Sequence, residues 1–511
     1  MSIKSQTTTK KLIVNSVYST ISWFLIVAIG IVFTPFIVRK LTIEGYGIYA
    51  LLTSLIGYYG LLDLGLGDGV TKFVAEYKAK SDWDGVIKSI NTAILVQIIL
   101  GVIGSGVLVI FAEAILRLLK VSEVFFQVAQ QGIYFVAVGF FFTMLSGTFS
   151  AALKGLQNYE EVSKINVFMN FALNVLLVVV LYLNGGLREA IILSVLYSVT
   201  SFLLYWRIIN KVIFGYKFSW VLEKGRIKSI FNYSGFLFLS RLSSTFSVYI
   251  VRFVIGFFLG PAFVAFYFIP SKVSQICGGL LGSLFNVVFP YSSELGAVKD
   301  LEKIQRVFIK TTKLFASVSI PIFLTLAVFA GPVLNLWMGP EFAQKGWVVL
   351  GILSFSSILG SITTVPNLIT MGLGESKLIS TFSIFTVLAY ALFMPIMTKQ
   401  WGIEGAACAI LFAQIPGIFL IIYEIRHVFK LSVIKSLWQI LAFHFVPLIV
   451  SIWLIVTFRS MLSLNVLYVW TGFGVFVSLY FVGMLLLNGL PIQEVLSHFK
   501  KKEAHVAANI S

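Results

Sequence analysis

Long apolar stretches alternate with short polar connections along the whole chain. Each stretch reaches the ~20 residues that an α-helix needs to cross the hydrocarbon core of a bilayer. Several contain an internal Pro or Gly, which predicts tilted or kinked helices. The pattern predicts fourteen membrane-spanning helices, at about residues 12–38, 45–66, 87–116, 124–153, 162–183, 190–209, 231–259, 262–291, 307–337, 347–371, 378–397, 405–425, 434–458 and 464–487.

The composition agrees with this pattern. Of the 511 residues, 58% are hydrophobic and 12% are charged, whereas soluble domains carry about 25% charged residues. The net charge of +17 would suit a nucleic-acid-binding protein, but the basic residues are spread between the apolar stretches. Positively charged loops on one side of a membrane account for them better. We therefore predict an all-α polytopic membrane protein that does not bind nucleic acid.

The distribution of Lys and Arg predicts the orientation. An even number of helices leaves both termini on one side, and 27 of the 38 basic residues fall on that side. Eight fall on the other side, and three lie inside the predicted helices. Because positive loops stay in the cytoplasm, both termini are predicted to be cytoplasmic. The polar N-terminus leads into the apolar run at Leu12 without a cleavage site, so we expect the first helix to be retained.

The sequence also repeats itself at offsets of 216 to 218 residues. The stretch VIFAEAILRLL from Val109 resembles AVFAGPVLNLW from Ala327, and GGLREA from Gly185 resembles WGIEGA from Trp401. Six predicted helices separate each pair, which relates two bundles of the same orientation, an architecture typical of transporters. We predict an N-terminal six-helix bundle at 1–210, a C-terminal six-helix bundle at 211–430, two further helices at 431–490 and a cytoplasmic tail at 491–511.

Three cations lie inside the predicted seventh and eighth helices, where a charge at the bilayer centre costs at least ~2.5–3.5 kcal/mol. Arg241 and Lys272 each lie about ten residues from a helix end, which at ~1.5 Å per residue places both near the midplane. Arg252 lies closer to the outer end of its helix. The repeat aligns Arg241 with Phe24 and Lys272 with Leu55, so the first bundle lacks these charges.

These cations predict an anion site. Transporter sites lie near the midplane, and Arg and Lys bind phosphate groups, so we predict that Arg241 and Lys272 bind an anionic head group. The alternative is an internal ion pair, although few acids occur in the neighbouring apolar stretches. Arg252 either joins the site or extends its charged end to the membrane interface.

Polar side chains on the predicted helices extend this site into a cavity. Its predicted lining residues are Asn15, Ser19, Ser22, Ser234, Thr245 and Gln275. Asp63 lies at the cytoplasmic end of the second apolar stretch, where burial in the bundle would let it titrate or bind a cation. Asp68 precedes Lys72 by four residues, which predicts a solvated pair at a helix end. The glycines at 65, 67 and 69 predict close helix packing or an unwound helix end.

No sequence motif for catalysis occurs in the chain. HExxH, GxSxG and Walker patterns are missing from the sequence, as is a CxxC pair. We therefore predict no enzymatic activity, no catalytic residue, no metal site and no cofactor. Cys277 and Cys408 lie in apolar stretches and are predicted to be packing residues, as is the isolated His444.

Three stretches resemble a known family: KLIVNSVYST from Lys11, FTPFIVRKLTIEGYGIYALLTSL from Phe33 and LGLGDGVTKFVAEY from Leu64. With the predicted helices, they make nearly the whole chain resemble the Wzx-type polysaccharide transporters. These are the lipid-linked oligosaccharide flippases of the multidrug/oligosaccharidyl-lipid/polysaccharide exporter (MOP) superfamily. The stretches identify the family better than the substrate.

The resemblance implies a flippase that moves a sugar repeat unit on an undecaprenyl pyrophosphate carrier to the outer leaflet by alternating access. The product would be a surface polysaccharide such as O-antigen, capsule or exopolysaccharide. The resemblance also implies a monomer in the bacterial cytoplasmic (inner) membrane, with the polymerase and chain-length proteins of its pathway as partners. Coupling to H⁺ or Na⁺ follows by analogy, with Asp63 as the candidate. The family's cavity lies between the two bundles, where Arg241 and Lys272 would fall.

A cation-coupled drug or small-molecule antiporter of the same superfamily is the alternative. An antiporter would need acids in its central cavity, whereas the predicted midplane charge is positive. A membrane glycosyltransferase or polymerase would need a large outer loop with acidic catalytic residues, but the predicted outer connections at 39–44 and 185–189 are short. The sequence therefore favours the flippase.

Overall fold

The structure is a computed structural model that describes most of the chain. The described residues are 3–57, 63, 65–220, 250–285, 288, 292–293, 295–296, 300–462 and 466–486. The description is limited to the backbone at 3–17, 19–20, 283–285, 450–462, 466–470, 473 and 485–486. The described residues form helices, turns and connections, and they divide into two compact units.

The first unit comprises the described residues of Met1–Ile269 and Ser383–Ala409. Its helices are α1 (Ile3–Leu41), α2 (Ile43–Gly57), α3 (Leu66–Ala79), α4 (Trp83–Ile110), α5 (Ala112–Leu118), α6 (Glu123–Gly155), α7 (Tyr159–Tyr182), α8 (Leu187–Val212) and α9 (Val251–Leu259). Helix α6 packs against α2, α3, α4 and α8 and so forms the centre of this unit.

The second unit comprises Pro270–Phe382 and the described residues from Ile410 onward. Helix α10 (Pro261–Phe285) and helix α14 (Ser376–Phe412) belong partly to each unit. The remaining elements are α11 (Leu301–Val328), α12 (Ala330–Met338), α13 (Pro340–Gly372), α15 (Ile415–Tyr423), a π-helical turn (Glu424–Val428), α16 (Val433–Leu462) and α17 (Val466–Leu486). Helix α11 packs on α13 and on α16. The domain boundaries taken from the sequence repeat stay a prediction.

The prediction of an all-helical polytopic membrane protein is confirmed for the described residues. Among them, nine helices are long and apolar enough to cross a membrane. The longest, Ser376–Val428 with 53 residues, contains the predicted eleventh and twelfth spans. Its helical conformation is broken at Trp401 and Gly402, where Gly402 has φ of 64°. The total of fourteen spans stays a prediction.

Many large apolar side chains lie on the outside of these helices. On α4, Val102 and Ile103 are each 59% exposed, and Ile110 is 77% exposed. Such apolar surfaces are unfavourable in water but are well solvated by lipid chains. A helix can lie among lipid chains because its backbone groups are hydrogen-bonded within the helix. The exposed apolar faces are therefore those expected next to lipid.

The connection predicted after the second span is more ordered than its polar residues indicated. The stretch 68–88 forms most of α3 and the start of α4. The reason is an apolar face in α3: Val70 and Val74 are four residues apart, fully buried, and part of one cluster with Phe149. Gly65 precedes the helix with φ of 78°, so the predicted unwound helix end is found at this glycine.

Candidate functional site

A polar cavity lies inside the first unit, among helices that are otherwise apolar. Its volume is about 520 Å³. The walls come from α3, α6, α7 and α8 and from the turn before α3. The lining residues are Asp63, Gly67, Asp68, Thr71, Thr143, Ser146, Gly147, Ser150, Ala151, Lys154, Tyr159, Asn166, Tyr197, Ser201 and Tyr205.

Asp63 is held in the cavity wall by two donors from different elements. Its Oδ1 accepts a hydrogen bond from Gln97 Nε2 of α4. Its Oδ2 accepts one from the backbone N–H of Gly67 over 3.2 Å. Gln97 is only 1% exposed, and its Oε1 has no hydrogen-bond partner within the described part of the chain. Asp63 is therefore half-buried and oriented, as a cation-binding carboxylate requires.

The cavity holds charges of both signs. Asp68 lies in the first turn of α3 and is half-buried, so it lines the cavity rather than forming only the solvated pair predicted with Lys72. Lys154, near the end of α6, contributes the positive charge. Two carboxylates and one ammonium group thus border the same polar volume.

Hydroxyl and amide groups complete the cavity wall. Thr71 Oγ1 lies 3.1 Å from the carbonyl oxygen of Ala151 and joins α3 to α6. Tyr205 OH donates to Asn166 Oδ1 over 2.8 Å and joins α8 to α7. Ser146 Oγ has no hydrogen-bond partner among the described residues. Such neutral donors and acceptors suit hydroxyl groups, water or a weakly hydrated cation.

Sequence reasoning missed most of these residues. Asn166, Asn170 and Asn174 are spaced by four positions in an apolar stretch, which places them on one face of a helix. In α7 two of these side chains bond to the helix backbone: Asn170 Nδ2 donates to the backbone carbonyl of Asn166, and Asn174 Nδ2 donates to that of Asn170. This spacing could have predicted a polar face. For Gln97 the signal was a single amide inside an apolar run.

Outside the membrane-spanning helices, α3 ends on an exposed ion pair. Lys80 Nζ lies 2.7 Å from Glu76 Oε1. This hydrogen bond and the attraction of the two charges lower the pKa of Glu76 and raise the pKa of Lys80. Exposed pairs of this kind contribute little to stability, and this one lies apart from the cavity lining.

Arg252 is buried in the first unit, where α9 and the start of α10 pack on α2. The residue is 9% exposed. Its Nη1 donates to Ser54 Oγ of α2 over 2.7 Å, and its guanidinium carbon lies 4.0 Å from the centroid of the Phe268 ring. The guanidinium is therefore directed into the protein rather than toward an interface. Its predicted role in substrate binding stays a prediction.

The other residues of the predicted anion site are described in part. Lys272 lies on α10 within the second unit and is half-buried. Gln275, one turn later, is exposed. Arg241, Ser234 and Thr245 lie outside the described residues, as does most of the predicted seventh span.

The predicted polar face of the first helix is described in part. Ser22 is buried at 9% exposure. Asn15 and Ser19 fall in α1 at positions for which only the backbone is described. The prediction for His444 is confirmed: it is 3% exposed, its Nδ1 is hydrogen-bonded to Tyr480 OH, and the two rings are stacked.

No group of three or more His, Cys, Asp or Glu side chains that could hold a metal ion occurs among the described residues.

The family model for polysaccharide biosynthesis proteins matches residues 36–345, which is more than half of the chain. The chain belongs to this family. This match, together with the relative and the solved structures below, confirms the resemblance to the Wzx-type polysaccharide transporters.

A curated relative of this polysaccharide biosynthesis protein is a candidate O-antigen transporter of Shigella flexneri. It is 25% identical over 402 residues, which cover 78% of this chain and 93% of the relative. Another is a probable low-salt glycan biosynthesis flippase of Haloferax volcanii, 24% identical over 182 residues, which cover 36% of this chain and 38% of the relative.

The solved structures that match share the fold at low sequence identity. The lipid II flippase MurJ in an inward closed conformation matches with a TM-score of 0.72 and 15% identity, over 93% of this chain and 98% of MurJ. A multidrug resistance MATE family transporter of the MOP superfamily, in an inward-facing conformation, matches with a TM-score of 0.66 and 16% identity. That match covers 80% of this chain and 94% of the transporter. The polysaccharide biosynthesis protein therefore has the MOP fold.

Proposed function

We propose that this protein is a flippase that moves undecaprenyl-pyrophosphate-linked oligosaccharide repeat units across the bacterial cytoplasmic membrane. The product would feed surface polysaccharide synthesis, as O-antigen, capsule or exopolysaccharide. The observation that carries the proposal is the polar cavity of about 520 Å³ inside a unit of membrane-crossing helices. Polar groups inside such helices are costly to bury, so they are kept where polar cargo or ions pass. Membership of the polysaccharide biosynthesis family supports sugar-bearing cargo.

In this proposal the pyrophosphate of the carrier is bound by Arg241 and Lys272. A pyrophosphate has to leave water to cross the membrane, and cations near the midplane offset part of that cost. The half-burial of Lys272 on α10 is compatible with a residue that meets both protein and a wet cavity. Substituting both cations by Ala should abolish surface polysaccharide while the protein remains in the membrane. Normal polysaccharide from that double variant would refute the head-group role.

Transport would be driven by coupling to H⁺ or Na⁺ at Asp63. The carboxylate is oriented by Gln97 and by the Gly67 N–H, and it borders the polar cavity. Asp68 lines the same volume and increases its negative potential. A cation that binds there would change the charge balance of the first unit during each cycle.

Alternating access would require α9 and the start of α10 to separate from the helices they contact in the first unit. Two polar contacts hold them in the structure: Arg252 to Ser54, and Lys120 Nζ to the Phe258 carbonyl over 2.7 Å. In the predicted topology these contacts lie toward the outer face. They would have to break when the protein opens outward.

We further propose fourteen spans, cytoplasmic termini, a monomeric protein, and the polymerase and chain-length proteins as partners.

Deleting the gene and analysing the membrane lipids by mass spectrometry tests the function directly. We expect a lipid-linked oligosaccharide to accumulate and its mass to identify the sugar unit. Complementation with the wild-type gene should remove it. An unchanged lipid profile together with intact surface polysaccharide would contradict the flippase.

The cation-coupled drug antiporter is the second candidate, because Asp63 and Asp68 supply acids in a cavity of the first unit. An antiporter predicts that deletion lowers resistance to cationic drugs without changing the lipid-linked oligosaccharides. Measuring both properties in one deletion strain therefore separates the two functions.

A further inference from the structure

The second unit buries a carboxylic acid that neither the sequence argument nor the proposed transport path uses. Glu424 begins the π-helical turn Glu424–Val428 and is 0% exposed. Neither of its carboxyl oxygens has a hydrogen-bond partner among the described residues. A buried carboxylate without a partner is strongly disfavoured, so the group has to carry a proton or bind a cation.

One polar side chain accompanies Glu424. The Thr370 hydroxyl, in the last turn of α13, is close enough to interact with the carboxyl. Thr370 is also 0% exposed. Neither its Oγ1 nor the carboxyl oxygens of Glu424 form a hydrogen bond with proper geometry among the described residues. Three buried oxygen atoms, two on Glu424 and one on Thr370, therefore lack a hydrogen-bond partner among the described residues.

The surrounding packing fixes this acid in place. Phe429 N donates to the Glu424 carbonyl over 2.8 Å, five residues back, and so closes the π turn. The Phe429 ring stacks on Phe308 of α11 at 4.3 Å between centroids, and its carbonyl accepts from Gln305 Nε2 over 2.8 Å. The π turn is the last turn of the helix that α15 begins.

Charged groups on the neighbouring elements do not neutralise it. The titratable groups nearest in sequence to these contacts lie on α11, α14, α16, the π turn and the adjoining connections. The exposed ones are Lys310, Glu375, Lys377, Arg426, His427, Lys430 and Lys435, and Lys313 is half-buried. Within the described residues, the carboxyl forms a hydrogen bond or an ion pair with none of these groups. On α13 the group that faces it is the neutral Thr370.

In the predicted sequence repeat, the first half has no acid at the position that corresponds to Glu424. At the offset of 217 residues, Glu424 corresponds to Arg207, which is exposed, and Thr370 corresponds to Leu153, which is buried. An apolar residue and an outward cation at the matching positions show that neither group is needed to close a helix bundle of this kind.

We propose that Glu424 and Thr370 form a proton-binding site in the second unit, and that the proton is bound in the conformation seen here. Three oxygens are too few for a hard metal cation, which takes six or more oxygen ligands, whereas one proton neutralises the acid completely. Release of the proton requires water to reach the carboxyl. Opening at the π turn would therefore be coupled to proton release.

Infrared spectroscopy of the purified full-length protein tests the site. At neutral pH we expect a band from a protonated carboxyl group that is lost in Glu424→Gln. The matched control is Glu341→Gln, because Glu341 is exposed and paired with Lys345 at 3.3 Å, so the band should persist. Thr370→Val should shift the band without removing it. An identical carboxyl band in wild type and Glu424→Gln would overturn the proposal.

Two further measurements keep the test decisive. If Glu424→Gln does not fold, the wild-type protein made with ¹³C-labelled glutamate must show the band shifted, and an unshifted band refutes the site. Loss of the band on adding NaCl at constant pH would mean that a sodium ion, not a proton, is the ligand. Neither result depends on the cargo. The proton site can therefore be refuted without refuting the flippase proposal, and the flippase proposal can be refuted without refuting the proton site.

Discussion

Two kinds of charged residue in this protein need different explanations. Arg241 and Lys272 were selected from the sequence because a cation is costly in an apolar helix. Asp63 was selected because an acid buried at the end of the second apolar stretch could titrate or bind a cation, and the structure adds the donors that orient it. The argument for Arg241 and Lys272 thus depends on the cost of burying a charge, whereas the argument for Asp63 also depends on its hydrogen-bond donors.

Asp63→Asn should stop or slow export, because the amide keeps the size of the side chain but cannot bind a cation as a carboxylate does. The expected result is accumulation of lipid-linked oligosaccharide in the deletion strain complemented with this variant. Asp84→Asn is the matched control, since Asp84 is 72% exposed and paired with Lys88 at 2.7 Å. Equal export from the two variants would argue against coupling at Asp63.

Arg252→Ala should destabilise the first unit by about 1.5–3 kcal/mol, the range for a hydrogen bond to a charged group. The variant loses the Ser54 contact and the Phe268 stacking together. Thermal unfolding of Arg252→Ala, Ser54→Ala and the double variant measures the coupling. Fully additive effects of the two substitutions would show that the hydrogen bond contributes nothing to stability. The control Arg188→Ala, at an exposed position, should leave the unfolding temperature unchanged.

At the scale of elements, the start of α10 contacts α2 closely enough to exclude a side chain. A Cβ atom built on Gly47 would overlap the carbonyl oxygen of Pro261, which is backbone and cannot rotate away. Gly45, two residues earlier on the same helix, would place its Cβ 3.4 Å from Thr42 Oγ1, an ordinary contact.

Gly47→Ala should therefore lower the free energy of unfolding by about 1–3 kcal/mol, as overpacking does, while Gly45→Ala should have little effect. Both substitutions change helix propensity equally, so the difference isolates the packing term. Thermal unfolding of the purified variants measures it. Equal stability of the two variants would contradict the described approach of α2 to Pro261.

Helix α3 shows how local sequence and packing combine at this scale. Its charged residues indicated a solvated connection, yet two valines four positions apart were enough to anchor one face on α6. The same helix then carries Asp68 and Thr71 into the cavity wall. The connection is thus an amphipathic helix, and its buried apolar face was not predicted from its charged residues.

At the scale of the whole molecule, the distribution of Lys and Arg makes a topological prediction. Green fluorescent protein fused after Ser511 should fluoresce, because the C-terminus is predicted to be cytoplasmic. Alkaline phosphatase should be active when fused after Asn184 and inactive when fused after Gly215. Activity after Gly215, or its absence after Asn184, would contradict the predicted orientation.

The sequence by itself determined the class of the protein. Membrane-crossing helices depend on the length and composition of single stretches, which are local properties, and the family resemblance follows from contiguous residues. The packing role of His444 and the candidate at Asp63 could be inferred in the same way, since each stands out from its apolar surroundings.

Only the tertiary structure decided which polar groups meet. Asp63 and Gln97 are 34 residues apart and Arg252 and Ser54 are 198 apart, so their pairing depends on how helices pack rather than on any local pattern. The cavity of the first unit and the buried pair of Glu424 and Thr370 arise in the same way. Burial, which makes a charge or a hydroxyl costly and therefore informative, is a property of the packed helices and cannot be assigned from one stretch alone.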